Sequence, residues 1–285
     1  MLLGLGTLTT GGDNTSTTYG GFIAGIGGKL TKTGAGTFTL TTNNSYTGAT
    51  TVNGGVLLVH GQQSQSAVSL LTGGTIGGNG RVGSISALNG HVAPGASPGK
   101  LSSGNLSFFS PSSLLKIEIN GTNAGVTFDQ VDVSGSVLLM GGGLGLSMNI
   151  IGAVSNQYLV VKNDGADLVN GTFSSLAEGA SVTNNGVVFS ITYHGGDGND
   201  VVLIQQTLGT PPQFGIIQRD TGGRINLSGA GIPGVTYTVE AAENLNPPAQ
   251  WQDIGTALAN GTGQLMFTDG NAPNFPIRFY RFRLP

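Results

Sequence analysis

From residue 1 to about residue 204, apolar side chains alternate with threonine and serine or gather in short runs, and glycine breaks the pattern every few residues. No stretch sustains a 3.6-residue apolar period, so strands and corners are predicted rather than helices. In Gly36-Thr37-Phe38-Thr39-Leu40-Thr41, Phe38 and Leu40 share one face and the threonines the other. Asn43-Asn44 turns the chain, and Tyr46, Gly48, Thr50 and Val52 follow on alternate positions. Asn53-Gly54-Gly55 turns it again before the apolar strand Val56-Leu57-Leu58-Val59. Leu57, Ile76 and Val92 each follow a glycine-containing corner, 19 and 16 residues apart, which is the length of one solenoid coil. A single coil cannot bury its inner row, but stacking coils at roughly 4.8 Å places like residues over like and pairs the backbone. About ten coils, a rod of roughly 50 Å, are expected.

The pattern changes after Leu203. Residues 205–213, Gln205-Gln206-Thr207-Leu208-Gly209-Thr210-Pro211-Pro212-Gln213, read as a polar, proline-containing linker. Beyond it, residues 214–285 hold five predicted strands: Gly223 to Ser228, Thr236 to Ala241, Trp251 to Thr256, Gln264 to Thr268 and Arg278 to Leu284. The expected organisation is all-β: a parallel β-solenoid over 1–204, then a small antiparallel β-sandwich with Trp251, Phe267, Phe279 and Tyr280 in its core.

Composition supports stacked coils. Glycine numbers 51 of 285 residues and charged residues make up only 9%, while 38% hydrophobic content still permits a core. There is no cysteine, hence no disulfide, thiolate nucleophile or cysteine-held metal. No apolar run reaches the length of a membrane-spanning helix. The start, Met1-Leu2-Leu3-Gly4-Leu5-Gly6, has no basic region and too short an apolar stretch for a secretory signal. A C-terminal fragment of a longer export substrate is therefore expected. Charge is uneven: residues 1–117 carry Lys29, Lys32, Arg81, Lys100 and Lys116 against Asp13 alone, and the acids cluster beyond. Five scattered bases cannot neutralise a run of phosphates, so nucleic acid is not an expected partner.

Two segments carry a family likeness. Gly28-Lys29-Leu30-Thr31-Lys32-Thr33-Gly34-Ala35-Gly36-Thr37-Phe38-Thr39-Leu40 and Asn44-Ser45-Tyr46-Thr47-Gly48-Ala49-Thr50-Thr51-Val52-Asn53-Gly54-Gly55-Val56-Leu57 closely resemble the autotransporter-associated β-strand repeat, also called the passenger-associated transport repeat. Gly90 to Gly99, Phe128 to Gly135 and Gly195 to Leu203 are similar to other passenger sequences. The resemblance implies a right-handed parallel β-helix in an exported protein. Its expected role is that of a secreted or cell-surface, adhesin-like structural stalk without catalysis. The expected partners are cell-surface or extracellular-matrix components, glycans among them, and upstream repeats of its own chain. Where a typical autotransporter ends in an outer-membrane barrel, this chain ends Phe282-Arg283-Leu284-Pro285, so export by another route is expected. The tail is similar to C-terminal modules of secreted bacterial proteins, which brings no chemistry with it.

Motifs that carry chemistry elsewhere occur within this pattern. Gly95-Ala96-Ser97-Pro98-Gly99 satisfies the G-x-S-x-G pattern, but Pro98 has no N–H to serve as oxyanion donor, and a rigid coil corner is expected. Gly78-Asn79-Gly80-Arg81-Val82-Gly83 satisfies G-x-G-x-x-G without a following helix or ribose-binding acid. No acid lies between Asp13 and Glu118, so paired carboxylates for glycan cleavage can lie only beyond that point. Asp129 and Asp132, three apart in a strand-like run, point to opposite faces. A polysaccharide-active β-helix lyase or hydrolase around Asp129 to Glu178 is the alternative function. Gly195 to Leu203 fits one copy of the calcium-binding nonapeptide with Asp200 as its acid, leaving a calcium-dependent surface module as a third reading. His60, His91 and His194 show no zinc-binding spacing. Arg278-Phe279-Tyr280-Arg281-Phe282-Arg283 interleaves bases with aromatics and is expected to be an edge strand. No catalytic, metal or cofactor residue is assigned.

Overall fold

Alternation of apolar and hydroxyl side chains with glycine corners folds here into parallel sheets. A computed structural model describes residues 1–148, 156–184, 187–206, 212–231 and 235–283. The chain divides into two compact units, Met1–Asn184 with Phe189–Gln205, and Asn185–Val188 with Gln206–Pro285. Regular structure is almost entirely strand; the exception among the described residues is a single 3-10 turn, Ala272–Asn274.

The first unit is a parallel β-helix. One eight-stranded sheet begins with Thr7–Thr10, Lys29–Lys32, Thr50–Val52 and Val68–Leu70 and runs on to Asn170–Thr172. A seven-stranded sheet stacks Thr17–Tyr19, Thr37–Leu40, Val56–Val59, Thr75–Gly78, His91–Pro94, Leu114–Ile119 and Gly143–Met148. The third, also eight-stranded, starts at Gln62–Gln63 and passes through Arg81–Val82, Lys100–Ser103, Gln130–Val133 and Gln157–Asn163. There the order changes: Asp200–Gln205 pairs antiparallel to Gln157–Asn163, and Val187–Gly195 antiparallel to Asp200–Gln205. A hairpin thus covers what would otherwise be an open parallel edge.

The spacing of Leu57, Ile76 and Val92 becomes direct stacking: Phe38, Leu57, Ile76, Val92 and Leu115 lie in one register column, every one buried. In the first sheet Leu30, Thr50, Val68, Ile85 and Leu106 form a second such column. Eight strands, not ten coils, fill the first sheet among the described residues. Within this column, from Leu30 to Leu106, the coils take 17 to 21 residues, and the step from Leu106 to Val137 takes 31. The extra residues fold into a turn-rich excursion between Ile119 and Phe128. Ile76→Ala, at the centre of its column with no exposed surface, is expected to cost about 2–5 kcal/mol. Urea unfolding followed by far-ultraviolet circular dichroism measures it.

Two polar features occupy this interior. Lys32 is fully buried, in an inward column that includes Val52 and Leu70. Its ammonium donates to the carbonyls of Thr33 (2.5 Å), Gly34 (3.1 Å) and Gly54 (3.4 Å), which the coil corners turn inward. Burial holds its pKa below the usual lysine range, against the opposing pull of Asp13. Tyr46 is also fully buried. Its hydroxyl meets Thr50 Oγ1 at 2.8 Å, which in turn meets Ser66 Oγ at 2.8 Å and accepts from Gln63 Nε2 at 2.7 Å.

The second unit consists of two three-stranded antiparallel sheets. One orders Gln213–Arg219, Ile225–Ala230 and Gln264–Asp269; the other orders Gln252–Leu258, Thr236–Ala242 and Phe279–Arg283. Their inner faces share a core of Leu227, Val235, Tyr237, Val239, Leu265 and Phe282, which makes the unit a small sandwich. The expected aromatic core is only partly realised. Phe267 and Tyr280 pack against the core half-buried, Phe279 is 38% exposed, and Trp251 is half-buried beneath Arg281. Alternation explains the correction: Phe282 points inward, so Phe279 and Arg281 face out. Of the expected linker, residues 207–211 lie outside the described residues, Gln205 ends one strand and Gln213 begins another.

Candidate functional site

A groove of about 660 Å³ lies on the β-helix. Its floor is the outward face of the seven-stranded sheet. Threonines occupy that face in the strand Thr37–Leu40, but Val56, Leu58, Ala93 and Leu114 replace them in later coils. Small residues lower the floor: a Cβ on Gly77 would come within 2.5 Å of the Ala93 carbonyl and 3.0 Å of Leu58 Cδ2. Lys116, Glu118, Ser97 and Asp129 add the polar wall.

Glu118 and Asp129 come together although eleven residues separate them, because the excursion from Asn120 returns the chain to its starting coil. Asp129 is 4% exposed. Its Oδ1 accepts the N–H of Gly99 at 2.7 Å and its Oδ2 that of Glu118 at 2.8 Å. Burial raises its pKa to about 6, against these two hydrogen bonds and with the help of the Glu118 charge. Glu118 accepts from the Ser97 hydroxyl and, through Oε1, from Asn120 Nδ2 at 2.7 Å. Ser97 itself has φ +91°. Asp129 therefore ties the Gly95–Gly99 corner to the next coil, and both its oxygens are spent on backbone donors.

The remaining sequence candidates are scattered. Asp132 points away from Asp129 and pairs with Lys100 at 3.2 Å. Gly95 exchanges backbone hydrogen bonds with Gly78, and the bend at Ser97 leads into the strand Lys100–Ser103, so this segment is a coil corner. Gly78 to Gly83 likewise joins two strands. Gly195 to Leu203 forms the hairpin between two strands; Asp200 is buried and its Oδ1 accepts the Asn163 N–H at 2.8 Å. No group of three or more metal-ligating side chains occurs among the described residues. His60 Nδ1 lies 3.4 Å from the Asn79 N–H, and His194 Nδ1 lies 3.2 Å from Glu178. His91 opens the strand His91–Pro94, with its pKa lowered by burial and by Lys116. Phe279–Arg283 is an edge strand, and Arg281 and Arg283 both bond Glu240, at 2.5 and 2.9 Å. Sequence reasoning missed Glu118 as the neighbour of Asp129, since only the returning excursion joins them.

Stacked three-sheet coils define the first unit as a parallel β-helix. Residues 30–59, which span the strands from Leu30 to Val59, match the Passenger-associated-transport-repeat family, and the chain carries this repeat. Over 164 residues it is 34% identical to an extracellular serine protease of Serratia marcescens, covering 56% of this chain and 14% of that protein. Over 101 residues it is 40% identical to the adhesin BmaC autotransporter of Brucella suis biovar 1 (strain 1330), covering 34% of this chain and 3% of that protein. The chain thus spans a small fraction of either relative's length.

Proposed function

We propose that the chain is a non-catalytic, adhesin-like stretch of a larger exported protein. It stands outside the cell and meets cell-surface or extracellular-matrix components, glycans among them. The observation that carries this reading is the groove: an apolar outer face on a fold whose outer faces are otherwise hydroxyl-rich, beside an acid used up as a structural tie. Such a surface suits contact with a partner. The name of the Brucella relative, an adhesin, agrees with it. To test this, the natural full-length protein is tagged beside residue 285 and intact cells are treated with protease. The tag is expected to be cleaved from the outside; retention in the cytoplasm after fractionation overturns the reading.

A second reading has one observation in its favour. A carboxyl group poised near pH 6 beside a second carboxylate in a groove is the arrangement a glycan-cleaving acid needs. Release of reducing sugar from acidic or neutral polysaccharides by the purified chain, abolished in a folded Asp129→Asn variant, replaces the first reading with the second.

A further inference from the structure

The C-terminal sandwich has a groove of its own, of about 580 Å³. Phe214 stacks on Phe282 with ring centroids 4.7 Å apart, joining the two edge strands Gln213–Arg219 and Phe279–Arg283. Farther along the same two strands a groove opens, walled by Trp251, Phe275, Phe279 and Tyr280. Its charged lining consists of Arg219, Arg278 and Arg281, with no aspartate or glutamate.

The arginines are prepared to different degrees. Arg278 is 10% exposed, bonds Asp269 at 2.6 Å through Nη1 and lies over the Phe275 ring at 3.9 Å. Tyr280 donates to the same Asp269 oxygen at 3.0 Å, so the acid sits behind the wall, nearly out of reach of solvent. Arg281 bonds Glu240 through Nε and lies over Trp251 at 4.3 Å. Each is pinned at one nitrogen and on one face, which fixes its remaining N–H donors at little further entropic cost. Arg219 is exposed, and its guanidinium has no ion-pair or hydrogen-bond partner among the described residues.

We infer that this groove binds a carboxylate-bearing glycan. The aromatic side chains receive the C–H faces of sugar rings, and the Arg219 fork takes a carboxylate by two parallel hydrogen bonds. The pinned donors of Arg278 and Arg281 serve hydroxyls, and the lack of lining acids leaves an anionic chain unopposed. The inference names one ligand class for the surface role proposed above, yet it concerns a different unit and stands without export.

Trp251 is the sole tryptophan and lies in the wall, so its fluorescence reports on this groove. The full chain is titrated with oligogalacturonate, with neutral gluco-oligosaccharides of equal length and with inorganic sulfate. A saturable emission change with oligogalacturonate alone is expected. Arg219→Ala should weaken it at least tenfold and Phe279→Ala several-fold, with thermal unfolding of both variants unchanged because both side chains are solvent-facing. No saturable change, equal affinity for the neutral oligosaccharide or sulfate, or full affinity in Arg219→Ala overturns the inference. Cell fractionation decides the surface role separately.

Discussion

Gly55→Ala is expected to destabilise the β-helix by on the order of 3–4 kcal/mol, combining left-handed backbone strain with displacement of a stacked corner. Gly55 has φ +59°, and a Cβ there would stand 2.3 Å from the Gly36 carbonyl oxygen and 2.6 Å from that of Gly34, both backbone atoms of the coil beneath. The Gly36 carbonyl cannot retreat, nor Gly55 itself, without breaking register, since Val56 N–H bonds Gly36 O at 3.2 Å and Thr75 N–H bonds Gly55 O at 2.9 Å. Gly73 supplies the control. It has φ +78° but nothing within 4 Å of its added Cβ, so Gly73→Ala should show only the conformational part, about 1–2 kcal/mol. Equal losses in the two variants, measured as urea midpoints, would sink the stacking argument.

The second large effect concerns Asp129. Removing it leaves the N–H groups of Gly99 and Glu118 without their acceptor, and Asp129→Ala is expected to cost about 2–4 kcal/mol at pH 5. At pH 8 the loss is smaller, because the substitution also removes a buried charge. The pH dependence of the native protein has a definite sign. The folded pKa of about 6 lies above the ordinary value of 3.8, so between these limits the native state holds the proton more tightly than the unfolded chain. This contribution is fully present below pH 4 and is lost as pH rises through 6, by up to about 3 kcal/mol. Asp129→Asn should abolish this part of the slope while placing an amide donor against a backbone N–H. A slope between pH 4 and 6 that is identical in the native protein and the Asp129→Asn variant would remove Asp129 from the account.

These two residues differ in how visible they were. Gly55 lies in a recognisable corner, Asn53-Gly54-Gly55, between two runs of alternating apolar residues, and a corner repeated at each coil needs a residue without Cβ. Asp129 was visible as an acid in a strand-like run, and its divergence from Asp132 followed from the two-residue period. Its partner Glu118 was not. The segment between them keeps no period, and nothing local states that an excursion returns to the coil it left.

Coil number and interior polarity show the same division. The stacking of Leu57, Ile76 and Val92 was legible because each coil repeats its own pattern, whereas the lengthening to 31 residues after Leu106 breaks that repeat. Lys32 shares the inward face of its strand with Leu30, and only stacking brings the corner carbonyls that hold its ammonium. In the sandwich, strand positions followed from alternation and turns. Which aromatics fill the core depended on which face each strand turned inward, and that placed Phe282 inside and Phe279 beside a groove.

Local chemistry along the chain thus determined the strands, the corners, the coil spacing and the passenger-type repeat, because period-two burial and glycine conformations are properties of neighbouring residues. Tertiary structure alone decided which distant residues meet: Glu118 and Asp129, Lys32 and its cage of carbonyls, and the arginines of the sandwich groove. Those contacts join residues from separate turns or separate strands, and their distances are set by stacking and edge geometry rather than by sequence spacing.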